Sequence, residues 1–255
     1  MMEEYIKRLF AQEKRRDKRK LNEFRKIEFE TGMISKAEGS ALVKLGNTQV
    51  IAGVKLSVGE PFPDTPNEGI LIVNAEFSPI AHPSFEPGPP GEDAIELARV
   101  VDRIIREGKV IDMKKLVIEK GKKVWMVFID LEIVNNDGNL IDAAVIASML
   151  ALKNSKILKL EDENIVRGEY ISELPLNHTA LSATVGKFEN KFIVDPDYLE
   201  EQVLDGKIVF GIREDGKICA IQKQGGCELD ESEIEKMIDI SIEKTKELRR
   251  LLGWE

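Results

Sequence analysis

The feature that most constrains this chain is the order of its residue patterns: strand-like runs, then helical ones, then that order again. Residues 48–56 put Val50, Ala52, Val54 and Leu56 on one face with period two, as a half-buried strand does. Gly46-Asn47 ahead of them reads as a hairpin turn, because both residues tolerate positive φ. Apolar stretches beginning at Phe29, Leu42 and Val43, and residues 70–77 and 124–134, supply further strands, the last one long and central. Residues 79–91 hold Pro79, Pro83, Pro87, Pro89 and Pro90 and must form an irregular surface loop. Helices are expected over 93–107, ending at Gly108, and over 142–153, an Ala-rich segment suited to burial. After a polar stretch over 153–169, strands return near 181–188, 191–194, 207–213 and 217–223. A short helix follows Pro196, and Asp215-Gly216 marks another hairpin. A last helix over 230–252 carries Ile234, Met237, Ile238, Ile242 and Leu248 on one stripe. This is an α+β fold of two related halves packed as layers of one globule. The expected divisions are a basic N-terminal helix and arm over 1–25, a first half over 26–160 and a second over 178–252.

At 255 residues the chain can bury a core without disulfide or metal staples. Cys219 and Cys227 are too few for a disulfide framework, which points to a reducing, cytoplasmic setting. No run approaches the roughly 18 apolar residues of a membrane span, and the charged start does not read as a secretory signal. The net charge of -9 is unevenly spread. Residues 1–26 hold ten basic and five acidic side chains, so they carry +5 and the remainder carries -14. Such an arm is either a solvated end or a grip for a polyanion. A helix over 3–12, burying Tyr5, Leu9 and Phe10, would begin it.

The chemistry-bearing residues are sparse. Gly-rich phosphate loops are missing, and two histidines, His82 and His178, leave little material for a zinc site. Both fall in loops and neither is expected to have an acidic or Ser partner nearby, so both read as surface or structural. Cys219 falls in a strand and Cys227 in a loop after Gly225-Gly226. No cofactor is expected and no metal ligand set is evident.

Two places stand out. Arg99, Arg103 and Arg106 fall within about 60° of one another on the 93–107 helix, opposite Leu97, Val101 and Ile104. They form one cationic ridge, either an ion-pair ladder with Glu96 and Asp102 or a surface for anions, which guanidinium forks grip with two hydrogen bonds. The second place is Asn139-Leu140-Ile141-Asp142, where a turn enters the Ala-rich helix. A helix N-terminus is a natural anion site, but Asp142 is expected to occupy the cap, take the free N–H groups and repel a phosphate.

These residues bring a family into view. Arg16-Asp17-Lys18-Arg19, Glu23-Phe24-Arg25, Ala37-Glu38-Gly39-Ser40-Ala41-Leu42-Val43 and Leu45-Gly46-Asn47-Thr48-Gln49-Val50 resemble the opening of the RNase PH family. The family opening usually carries Asp-Gly-Arg, from which Lys18 departs. Residues 94–106, 133–152 and the closing helix continue the similarity over nearly the whole chain. The resemblance implies the RNase PH fold and six-membered rings that process RNA from its 3′ end. Catalytic relatives carry Gly-Thr-Arg or Gly-Ser-Arg at the helix start, where this chain has Asn139, Leu140 and Ile141. They also carry an acid opening a strand of the second half, where an ungapped match places Lys207.

The resemblance is therefore to the non-catalytic RNase PH-type subunits of the archaeal exosome, with no catalytic residues in this chain. It implies three such subunits alternating with three catalytic RNase PH-type partners, RNA-binding cap proteins, and single-stranded RNA held by Arg99 and Arg103. Arg106 is added by helical spacing. Two other readings remain. One is a self-sufficient ring of identical phosphorolytic exoribonuclease subunits, and the other is an unrelated small-molecule-binding α+β protein.

Overall fold

The computed structural model describes residues 2–161 and 164–254. Two residues of the 153–169 stretch, 162 and 163, lie outside the described residues, as do 1 and 255. The chain opens with α1 (Met2–Ala11), followed by β1 (Ile27–Thr31), β2 (Gly39–Leu45), β3 (Thr48–Gly59) and β4 (Ile70–Phe77). Helix α2 (Glu92–Glu107), a 3-10 turn at Met113–Leu116, β5 (Val117–Glu119), β6 (Lys123–Asn135) and α3 (Leu140–Lys153) complete the first half. The polar stretch is a hairpin, β7 (Lys156–Glu161) and β8 (Asn164–Glu173), which no clear alternation announces. The second half runs β9 (Ala180–Phe188), β10 (Lys191–Val194), α4 (Tyr198–Glu201), β11 (Gly206–Arg213), β12 (Ile218–Gln224) and α5 (Glu231–Leu251).

The first sheet has the order β1-β2-β3-β6-β4, with β5 on the end of β6. All its pairings are antiparallel except β4 with β6, whose connection runs through α2. As the alternation requires, Val50, Ala52, Val54 and Leu56 face inward. The second sheet, β10-β9-β11-β12, is wholly antiparallel. Helices α2 and α3 lie between the sheets: α3 packs on β2, β3 and β9, and α2 on β4 and β12. Every residue of α3 from Ile141 to Leu152 is buried, as its apolar composition demands. On the far side of the second sheet, Ile208, Phe210 and Ile212 pack with Val185 and Met237 of α5. The result is four layers: sheet, helices, sheet, helix.

Close approach of these layers explains two glycines. A Cβ on Gly211 would stand 2.8 Å from a side-chain carbon of Ile104, so β11 and α2 could not meet there. A Cβ on Gly39 would stand 2.4 Å from the Ala151 carbonyl oxygen of α3. Its neighbours anchor the same seam. The buried Glu38 carboxylate accepts the Leu56 N–H at 2.7 Å, and Ser40 and Asn154 exchange two hydrogen bonds, at 3.1 and 3.0 Å.

Several local expectations change. On α1 the buried residues are Ile6 and Phe10, while Leu9 is half-buried and Tyr5 exposed, because the inward face is set by the Phe188 ring, which meets Phe10 edge to face at 5.3 Å. The α5 stripe is Met237, Ser241, Lys244, Thr245, Leu248 and Arg249, with the isoleucines only half-buried. Of the polar members, Thr245 Oγ1 donates to the Ser241 carbonyl, Lys244 donates to Glu247 at 2.6 Å and Arg249 to the Ile212 carbonyl at 2.8 Å, while the buried Ser241 hydroxyl has no partner among the described residues. In the 46–47 turn Gly46 takes the positive φ, +58°, and Asn47 does not. Helix α2 reaches Gly108 in right-handed conformation, and the left-handed residue is Lys109, at φ +50°.

Candidate functional site

Helix α2 carries Glu92 and Asp93 in its first turn and Arg106 in its last, each sign set against the helix dipole. Its inner face buries Leu97, Val101 and Ile104, which turns Arg99, Arg103 and Arg106 outward together along one shallow groove. Their partners differ. Arg106 grips Asp102 one turn back, Nε to Oδ2 at 3.1 Å and Nη2 to Oδ1 at 2.7 Å, and also donates to the Leu71 carbonyl at 3.0 Å. That carboxylate's hydrogen bond and charge hold its guanidinium above the ordinary arginine range. Arg103 donates only to the neutral Gln222 of β12, at 3.2 Å. Among the described residues Arg99 has no hydrogen-bond or ion-pair partner. Glu96 is occupied by Gln222 and Gln224, at 3.1 and 2.9 Å, and serves no arginine. The ion-pair ladder takes Arg106 and leaves the other two unneutralised.

The arginines of the arm behave otherwise. The side chain of Arg15, 3% exposed, pairs with Glu200 and donates to the carbonyls of Val194 and Asp195 at 2.8 and 2.7 Å. Arg25 forks onto Asp195 at 2.7 and 3.0 Å, and Arg19 reaches the same carboxylate at 2.9 Å. Burial works against the Arg25 charge, but the Asp195 hydrogen bond and the nearby carboxylates outweigh it and raise its pKa. These side chains are neither a solvated end nor a free polyanion grip; they tie the N-terminus to the 195–200 segment of the second half. Lys18, where the resemblance leads one to expect glycine, sits at φ +68°, the left-handed region that glycine enters without strain.

The α3 entrance also departs from expectation. The helix begins at Leu140, and the N-cap is Asn139 at φ +52°, whose side chain makes no capping bond. Asp142 is not the cap. Its fully buried carboxylate accepts Ser182 Oγ–H at 2.6 Å, the Thr184 N–H at 2.8 Å and Asn139 Nδ2–H at 2.9 Å, so it faces β9 and away from its own helix amides. Burial pushes this carboxyl up, against those three hydrogen bonds. The acid beside the helix start is instead Glu201 of α4, which accepts the Asn139 N–H at 3.1 Å and pairs with Lys207.

Beside this entrance is a cavity of about 340 Å³. Its lining includes Asn139, Leu140 and Ile141, Thr184 and Lys207, and the rings of His82, Phe85 and Tyr198. Asp93, Glu96 and Glu201 line it too, against one ammonium, Lys207, already paired. With no arginine among the lining residues and carboxylates in excess, its field opposes a phosphate. Contrary to the expectation from sequence, both histidines have such partners: His178 Nδ1 lies 2.6 Å from Glu214, 36 residues on, and His82 Nδ1 2.7 Å from Ser84, only two residues on. Burial raises the Cys219 thiol to about 11, too high for a thiolate nucleophile at neutral pH.

Sequence reasoning located the ridge and the α3 entrance but missed Asp195, Glu201, Thr184 and Tyr198. The available signal was the acidic run Asp195-Pro196-Asp197-Tyr198-Leu199-Glu200-Glu201, complementary in charge to the arm.

Two sequence profiles of the 3′ exoribonuclease family match, that of domain 1 over residues 23–158 and that of domain 2 over 178–244. The chain belongs to the RNase PH family. A relative from Methanothermobacter thermautotrophicus, the exosome complex component Rrp42, is 49% identical over 94% of this chain and 90% of its own length. The Pyrococcus furiosus exosome complex component Rrp42 is 45% identical over 99% and 92%. Among solved structures, a chain of the Archaeoglobus fulgidus exosome with RNA bound to the active site is 44% identical, with a TM-score of 0.92 over 98% of this chain and 97% of that one. For this RNase PH family member, the elements that carried the resemblance have physical roles in the fold. Glu38-Gly39-Ser40 locks β2 to α3, and Thr48 Oγ1 bonds the Gly138 carbonyl at 2.6 Å to fix the α3 entrance.

Proposed function

We propose that this chain is a non-catalytic, RNA-binding subunit of an archaeal-type exosome, a 3′-to-5′ exoribonuclease ring in which it assembles with and feeds a catalytic RNase PH-type partner. The observation that carries the reading is the contrast between two positions. At the α3 entrance Ile141 and the Glu201–Lys207 pair stand where catalytic relatives are expected to hold phosphate and an acid. On α2, Arg99 and Arg103 are left without an acidic partner. The first supports loss of phosphorolysis; the second supports contact with RNA phosphates that is independent of base identity. The names of the relatives, exosome components in archaea, support the assembly.

In this reading three copies alternate with three catalytic subunits, cap proteins sit on the ring, and the complex works in the cytoplasm. The arm over 1–25 and the halves over 26–160 and 178–252 are its structural units. Arg99 and Arg103 are the RNA contacts, with Arg106 a weaker one because Asp102 already holds it.

The test is to express the chain alone and with a catalytic relative from the same genome. Expected are a hetero-hexamer by native mass and no phosphate-dependent release of nucleoside diphosphates by the chain alone. Phosphorolysis by the isolated chain, unchanged when Lys207 is mutated, would support the self-sufficient alternative instead.

A further inference from the structure

The cavity beside the α3 entrance lacks the features of a phosphate site, yet its walls carry unsatisfied hydrogen-bonding groups. Leu140 and Ile141 contribute the first amides of a 14-residue helix, which have no intrahelical acceptor and no side-chain cap. Asn139 Oδ1 and Thr184 Oγ1, on two lining residues 2% and 1% exposed, lie buried without a hydrogen-bond partner among the described residues. Buried polar atoms in a folded protein are nearly always paired. Two such orphans on side chains more than nine-tenths buried, next to uncapped amides, mark a place where a ligand supplies what the protein does not.

The remaining walls define that ligand. Phe77, Phe85, His82 and Tyr198 form a run of ring contacts with centroids 4.7, 5.4 and 4.7 Å apart in turn. A flat aromatic occupant can stack on such a run whatever its sequence context. Two carboxylates, Asp93 and Glu96, the latter engaged by Gln222 and Gln224 through Oε1 alone, oppose a phosphate and can accept hydrogen bonds from an amino group. The helix amides in turn donate to a ring nitrogen. The volume, about 340 Å³, is at the small end of small-molecule sites. We propose that this cavity binds an amino-bearing nucleobase, presented as a nucleoside with any phosphate kept outside, at the place where catalytic relatives would hold phosphate. The proposal does not depend on Arg99 or Arg103.

Two sources share this chemistry: a free nucleoside, or an unphosphorylated 3′-terminal nucleoside of single-stranded RNA. The experiment is amide-detected NMR titration of the full chain, alone or in its ring, with adenosine, uridine, AMP and inorganic phosphate as probes. Adenosine is expected to bind with a Kd of about 1 mM or tighter and to move the Leu140 and Ile141 amide signals. AMP is expected to bind about tenfold more weakly because of the facing carboxylates, and phosphate not at all. Thr184→Val, which keeps the shape of a buried side chain, should weaken adenosine several-fold. Tyr198→Ala, at a partly exposed position, should weaken it about tenfold by removing a stacking ring. Displacement of adenosine by an RNA ending in adenosine would assign the site to chain ends, and no displacement would assign it to free nucleoside. Absence of adenosine shifts at Leu140 and Ile141, or phosphate binding as tight as adenosine, would overturn the proposal. Full adenosine affinity in both variants would overturn it as well.

Discussion

Two sets of arginines divide this molecule. Arg15, Arg19 and Arg25 come from the most basic stretch of the chain, yet Asp195 and Glu200 consume their charge inside the fold. Arg99 and Arg103 come from a helix with five acids and three bases, yet among the described residues no acid pairs with either. Counting charge along the sequence does not tell the two sets apart. What decides is where the counter-charge stands in three dimensions: the arm meets an acidic turn about 170 residues away, while the α2 face meets neutral Gln222.

The largest effect is expected in the arm. Asp195→Asn keeps the side-chain shape and a residue type that tolerates the position's φ of +50°, but leaves Arg19 and Arg25 buried without their shared counter-charge. Removing one partner of a buried ion pair costs about 3–5 kcal/mol, so denaturant unfolding should show a loss of that order. A loss below about 1 kcal/mol, within the range of exposed pairs, would break the comparison by making the arm a surface feature after all. Next in size is Lys18→Gly. Left-handed backbone costs a non-glycine residue about 1 kcal/mol, so glycine at this position should raise stability by about that much, read as an upward shift in Tm. Arg106→Ala is smaller again. Its exposed ion pair with Asp102 predicts a few tenths of a kcal/mol, and its prior engagement predicts a smaller effect on RNA affinity than loss of Arg99 gives. Equal RNA effects at the two positions would show that the Asp102 pair does not compete with RNA.

The same comparison explains what the sequence reveals. Strand β3 is legible because its period is two and one face is buried, and α2 is legible because its apolar stripe repeats at helical spacing. The arginine ridge follows from that stripe alone. The Arg25–Asp195 fork does not, because nothing local to either residue reports the other. Asp142 misleads for a related reason. A carboxylate beside a turn looks like a helix cap, but β9 delivers Ser182 and Thr184 as donors, and Asn139 in left-handed conformation starts the helix two residues earlier than expected. The β7–β8 hairpin is obscured by the charged residues its exposed face accommodates.

The central claim is that Arg99 and Arg103 are free to hold RNA while Arg15, Arg19 and Arg25 are not. It is tested most directly by the salt dependence of RNA binding to the assembled ring, with both α2 residues replaced by alanine. Each lost phosphate contact on a single strand lowers the slope of log affinity against log salt by about 0.7. The double variant should therefore assemble normally, unfold like the parent, bind RNA more weakly at low salt and show a slope reduced by about 1.4. An assembled double variant that keeps the parental slope would contradict the account.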